Sequence, residues 1–135
     1  MPMIPSPLAA LAYAAVKIGG YSYFAARLNG IIGTNVRPIR FGLAKTGIGL
    51  LGGLVYFYLL SVWGDEHLSD AKVFVGALPV RLIAWGIALG IFYGFRSKPM
   101  LVVAALLVGV VWSYALDGAM WLIYKIMPGM VMPFC

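Results

Sequence analysis

Residues 100–124, MLVVAALLVGVVWSYALDGAMWLIY, form an apolar run interrupted by one carboxylate, Asp117. About 20 helical residues suffice to cross a hydrocarbon core, so the run reads as a membrane span. A charge within such a span is costly unless another group compensates it. The fold therefore turns on how many similar runs the chain holds and which of them can answer Asp117.

Three further runs have the required length: residues 8–28, 41–62 and 74–95. Pro38 and Pro99 fall just before two of the four, a place where a residue without a backbone N–H is tolerated. The chain is 63% hydrophobic and only 10% charged, with a mean hydropathy of +0.97. A soluble domain is about a quarter charged, because its surface must be solvated. These numbers predict an all-α, polytopic membrane protein: one domain over residues 1–135, folded as a bundle of four transmembrane helices. The opening MPMIPSPLAA lacks the basic stretch of a cleavable signal, so the first run is expected to be a retained helix.

The net charge of +6 does not indicate a nucleic-acid partner. The basic residues sit at the ends of apolar runs, where they encode topology, and form no aromatic-interleaved basic face. The loop at 29–40, with Arg27 beside it, holds Arg37 and Arg40, and the loop at 96–99 holds Arg96 and Lys98. Neither contains an acid. The loop at 63–73 carries Asp65, Glu66 and Asp70 against Lys72. By the positive-inside rule the first and third loops are cytoplasmic, and the second loop and both termini are external. The expected location is a bacterial inner membrane, with Lys45 reaching back to the cytoplasmic interface.

RPIRFGLAKTGIGLLGG and LPVRLIAWGIALGIFYG share a proline, a basic residue and spaced glycines. Internal duplication produces such a pattern, and so do unrelated membrane helices. In lipid, helices meet at small residues. Gly86, Gly90 and Gly94 fall at four-residue intervals, as do Gly49 and Gly53, while Gly109 aligns with Ala105, Ser113 and Asp117. These stripes are the expected helix-packing faces. The Gly86 stripe is also a candidate for self-association or for lining a pore.

With directions assigned, Lys17 lies near the middle of the first span, and Arg81 and Asp117 lie in the outer halves of theirs. Pairing is the expected remedy for their charge, with Lys17–Asp117 the primary pair and Arg81 a second cation. Tyr13 and Tyr21 flank Lys17 at four-residue spacing, and Ser113 precedes Asp117 by the same interval. Two cations against one carboxylate would favour an anionic ligand. The alternative is structural: pairing alone, with Arg81 snorkelling if its helix begins at Leu78 or Pro79, and Trp121, Tyr124 and Lys125 forming an interfacial belt.

Met127, Met130, Met132 and Cys135 gather soft sulfur ligands near one end, a set suited to Cu(I), although methionine is also a flexible apolar filler. No other cofactor is indicated. One cysteine allows no internal disulfide and no cysteine-based zinc site, and one histidine allows no bis-histidine haem. GxSxG, HExxH and Walker A motifs are absent, and with so few candidate acids and bases a lipid-modifying membrane enzyme ranks third among the readings the sequence leaves open. The composition then points to a small accessory or structural subunit, partnered by lipid and by other membrane subunits or further copies of itself. The competing expectation is a homo-oligomeric transporter or channel for a small anionic solute, using Lys17, Arg81 and Asp117.

Overall fold

The computed structural model describes residues 7–63, 70–95 and 98–126. Within them every element is a helix: α1 Pro7–Ile32, α2 Pro38–Trp63, α3 Asp70–Gly76, α4 Leu78–Phe92 and α5 Pro99–Ile126. A proline opens α1, α2 and α5, where its missing N–H costs no hydrogen bond and its fixed φ suits the first turn. Glycine closes α1 and α4. Gly33 (φ 78°) and Gly94 (φ 67°) adopt the left-handed conformation that turns the chain out of a helix. Their amides reach back to Asn29 O at 2.8 Å and Leu89 O at 3.1 Å. Gly94 therefore terminates α4 and is not on its packing stripe, a correction to the 74–95 span.

That third span is also divided. Ala77 (φ −73°, ψ −8°) separates α3 from α4, and Pro79 withholds the amide that would continue the ladder. Side chains from neighbouring helices serve carbonyls at the break. Tyr56 of α2 donates to Val73 O at 2.9 Å, and Tyr114 of α5 donates to Phe74 O at 3.2 Å.

The four long helices form a ring in which α1 and α4 each pack on α2 and α5. Trp85, fully buried, fills the middle. Its ring meets Phe24 at 5.0 Å and Tyr21 at 5.5 Å between centroids, both edge-on, the geometry aromatic quadrupoles prefer. At one end, Asn29 ties the turn after α1 by donating to Val36 O at 2.6 Å, while Tyr93 shares its hydroxyl between Ala25 O and Asn29 Oδ1. Lys98 donates to Ile32 O at 2.8 Å, placing a cation at the negative end of the α1 dipole.

Leu51, Tyr58, Ile83, Ile91, Leu107, Val111 and Leu122 are all more than half exposed, whereas Lys17, Lys45, Arg81 and Asp117 are buried. Apolar side chains outside and charges inside make this the fold of an integral membrane bundle. Three segments, Pro38–Val62, Val73–Phe92 and Pro99–Ile123, have both the length and the apolarity to cross a membrane. The fourth expected span, α1, has 26 residues, but Lys17, two adjacent glycines and three tyrosines dilute its apolar character.

Candidate functional site

Each long helix contributes one charged side chain to the interior. Lys17 comes from α1, Lys45 from α2, Arg81 from α4 and Asp117 from α5, exposed by 1%, 3%, 7% and 3%. Asp117 is the one carboxylate among the described side chains. Its Oδ1 pairs with Lys17 Nζ, and its Oδ2 lies 2.5 Å from Arg81 Nη2. The expected Lys17–Asp117 pair is thus two arms of a triad.

Two side chains one turn away close the triad into a ring. Arg81 Nη1 donates to Ser113 Oγ at 2.9 Å, and Ser113 Oγ shares a hydrogen bond of 2.9 Å with Tyr21 OH. Lys17 Nζ donates to Tyr21 OH at 3.5 Å. The circuit runs Asp117, Lys17, Tyr21, Ser113, Arg81 and back. Helical periodicity explains its economy, because Tyr21 follows Lys17 by four residues and Ser113 precedes Asp117 by four. α1 and α5 therefore each supply one ion and one neutral bridge on the same face, and α4 supplies Arg81. Tyr114 stacks on the Arg81 guanidinium at 4.2 Å, which covers it without using a donor. Arg81 is therefore not a snorkeller; its helix break lies above it, but its side chain turns inward.

Lys45 stands apart from this ring. Its ammonium lies 4.9 Å from the Tyr21 ring centroid and 5.0 Å from that of Trp85. Among the described residues it has no carboxylate partner and no hydrogen-bond acceptor. The expectation that it reaches the cytoplasmic interface is overturned. Its position on the inner face of α2, opposite Tyr21 and Trp85, directs the stem into the bundle. Sequence offered little sign of this, since both aromatic partners come from other helices.

A cavity of about 40 Å³ lies between α1, α2 and α4, with Lys17, Lys45 and Arg81 in its wall. Tyr13, Tyr21 and Ser113 also line it, as do Gly49 and Gly53. These two glycines were expected at a helix contact. Both border the cavity instead, and the nearest atom to a Cβ placed on Gly49 would be Lys45 Nζ at 3.8 Å. Among the described residues, Arg81 Nε also lacks a hydrogen-bond partner.

Close helix contacts lie mainly at other glycines. A Cβ on Gly42 would meet Ser22 Oγ and, at 2.6 Å, Ile18 O, so α1 and α2 touch backbone to backbone there. A Cβ added to Gly20 would meet Leu116 at 2.6 Å, one on Gly52 would meet Val80 at 2.9 Å, and one on Gly109 would meet the Trp85 ring at 2.6 Å. A Cβ on Gly86 would make only an ordinary contact with Leu106, at 3.8 Å, and one on Gly90 would meet the Phe95 ring, just past the end of α4, at 3.0 Å. Four-residue spacing identifies a helix face but not the neighbour that covers it.

The sulfur cluster of Met127, Met130, Met132 and Cys135, and the acidic loop with His67, lie outside the described residues. Among the described residues no group of three histidine, cysteine, aspartate or glutamate side chains could hold a metal. Comparison with protein-family models, with curated proteins and with solved structures finds no match to this chain, so the site must be read from its own chemistry.

Proposed function

We propose that this chain is a four-span membrane protein that binds a small anion in its central cavity and passes it across the bilayer. The observation that carries the reading is Lys45. It is a buried lysine amine set in a cavity wall, and among the described residues no acid answers it. Three buried cations face one described carboxylate, and that carboxylate is already shared by Lys17 and Arg81. A buried charge is normally paired, and an anion entering the cavity would complete the pairing.

The length of α1 and its inward-facing Lys17 and Tyr21 support counting it as a fourth span. Arg27, Arg37, Arg40 and Lys98 cluster at one end of the bundle, which supports a cytoplasmic assignment for that end. Both termini then lie on the other side.

The test is anion flux in proteoliposomes containing the purified chain, with Lys45→Met as the variant. The expected result is flux in the wild type, and its loss in a variant that remains folded and reconstitutes equally well. Absence of wild-type flux, together with a stoichiometric partner subunit retained on gentle extraction, would replace this proposal with the accessory-subunit reading.

A further inference from the structure

We infer that the seam between α1 and α5 binds the headgroup of an anionic phospholipid, with the Arg27 guanidinium as its phosphate ligand. The inference rests on α1 being a membrane span, as proposed above, and is independent of transport. Two contacts define the seam. Trp112 Nε1 donates to Gly20 O at 3.0 Å with its ring 6.1 Å from that of Tyr23, and Lys98 Nζ donates to Ile32 O at 2.8 Å. α5 therefore runs antiparallel along α1, and Arg27 lies between the two contacts. Tyr23, Arg27 and Ile31 recur at four-residue spacing and are all exposed, so they form one stripe on the outside of the bundle. At about 1.5 Å per residue, Arg27 lies about 7.5 Å before Ile32, the last residue of α1. That depth is close to the base of the headgroup layer, which is about 5–7 Å thick on each side of a bilayer.

The Arg27 side chain is held in place there. Its Nε donates to Tyr23 OH at 3.0 Å, and its guanidinium carbon lies 5.3 Å from the Tyr23 ring centroid. That hold uses only the Nε–H, and among the described residues both terminal nitrogens are without a partner. A planar fork of this kind matches two oxygens of one phosphate. No acid of the chain is placed to answer it. The sequence has no Asp or Glu in residues 1–64 or 71–116, and Asp117 is taken by Lys17 and Arg81. A charge on the lipid-facing side of a span needs a counter-ion, and lipid phosphates are the anions at that depth. Arg37, Arg40 and Lys98, all exposed at the same end, raise the local potential and select a headgroup of net negative charge. The apolar part of the seam selects a lipid over a free phosphate. Tyr23 and Trp112 lie ring to ring further along it, and Val108, one turn from Trp112 toward Lys98, is exposed. An acyl chain gains that surface and a free phosphate does not.

The experiment is native mass spectrometry of the full chain in detergent micelles, titrated with phosphatidylglycerol or phosphatidylcholine, and with glycerol phosphate or a polyglutamate peptide as competitor. The expected result is a retained phosphatidylglycerol, bound roughly tenfold more tightly than phosphatidylcholine and displaced by neither competitor. Arg27→Gln should weaken it about thirtyfold, the loss of a charge-assisted fork, and Arg40→Gln about fivefold or less, the loss of one nearby charge. Tyr23→Phe should weaken it severalfold with every charge in place, because the guanidinium loses its hold. Circular dichroism and elution volume identify the folded variants. Equal losses in Arg27→Gln and Arg40→Gln would overturn the site in favour of diffuse attraction. Equal binding of phosphatidylcholine would overturn the charge class, and no retained lipid would overturn the inference outright. Displacement by glycerol phosphate or by polyglutamate would assign the surface to a free phosphate or to an acidic protein segment instead. The span is checked separately with Gly19→Cys in a Cys135→Ser background, since a Cβ at Gly19 meets nothing within 4 Å. Protection of this cysteine from a membrane-impermeant maleimide in nanodiscs is the expected result. Its modification would take α1 out of the bilayer and the inference with it, whereas protection without lipid preference would refute the lipid site alone.

Discussion

Replacing Asp117 by asparagine is the sharpest perturbation of this bundle. It keeps the side-chain shape and removes the one carboxylate that answers both Lys17 and Arg81. All three side chains are at least nine-tenths buried, so solvent gives little relief. Removing one member of a buried ion pair costs about 3–5 kcal/mol, because an uncompensated charge remains. Asp117→Asn leaves two, so its expected cost lies at or above that range. Lys17→Met is different: Asp117 keeps Arg81, and the loss is closer to one charge-assisted hydrogen bond, about 1.5–3 kcal/mol. The two single variants should therefore differ by about 2 kcal/mol, on the order of thirtyfold in the folded-to-unfolded ratio. The double variant Lys17→Met/Asp117→Asn should remain destabilised, since Arg81 is still unpaired. Only the triple variant Lys17→Met/Arg81→Met/Asp117→Leu should return to within about 1 kcal/mol of the wild type. Reversible unfolding in mixed micelles, followed by circular dichroism, gives these differences. Equal cost for the two single variants, or rescue in the double, would refute the triad and leave a simple Lys17–Asp117 pair.

Gly42→Ala drives a methyl into Ile18 O and Ser22 and should cost about 1–3 kcal/mol, whereas Gly47→Ala meets nothing within 4 Å and should be neutral or slightly stabilising in the same unfolding assay. Trp85→Ala empties the centre of the ring and should cost about 3–5 kcal/mol, and the Tyr21 and Phe24 contacts it removes should be lost from the near-ultraviolet circular dichroism. Tyr93→Phe withdraws the hydroxyl from Ala25 O and Asn29 Oδ1, and a loss of about 1 kcal/mol should accompany faster hydrogen exchange in the turn after α1.

The helical class and the neighbourhood of Lys17, Arg81 and Asp117 were legible because they depend on local quantities: run length, helix direction and depth. A side chain's depth follows from its distance along a helix, and three such depths coincided. What was not legible depends on rotation about each helix axis. Lys45 looked like a snorkeller by depth alone, yet its inward face meets Tyr21 and Trp85. The glycine stripes likewise gave spacing without a partner, so Gly49 and Gly53 were assigned to contacts although they border empty space. The division at Ala77 was concealed because Tyr56 and Tyr114, remote in sequence, serve the carbonyls beside it. The end of α1 fell later than Leu28 because Arg27 lies along the helix surface, its Nε bonded to Tyr23 OH at 3.0 Å, and does not terminate it.

The ring of Asp117, Lys17, Tyr21, Ser113 and Arg81 joins the first helix to the last. Tyr21 and Ser113 stand 92 positions apart, and Lys17 and Asp117 are more distant still. A ribosome adding about 5–20 residues per second makes α1 roughly 5–20 s before the segment that neutralises its lysine. Throughout that interval the nascent chain holds Lys17 without the Asp117 counter-ion, and among the described side chains none before α5 carries a carboxylate. Closure of the ring thus waits for α5. A chain truncated before α5 would carry an unanswered buried cation, a defect that quality control can recognise.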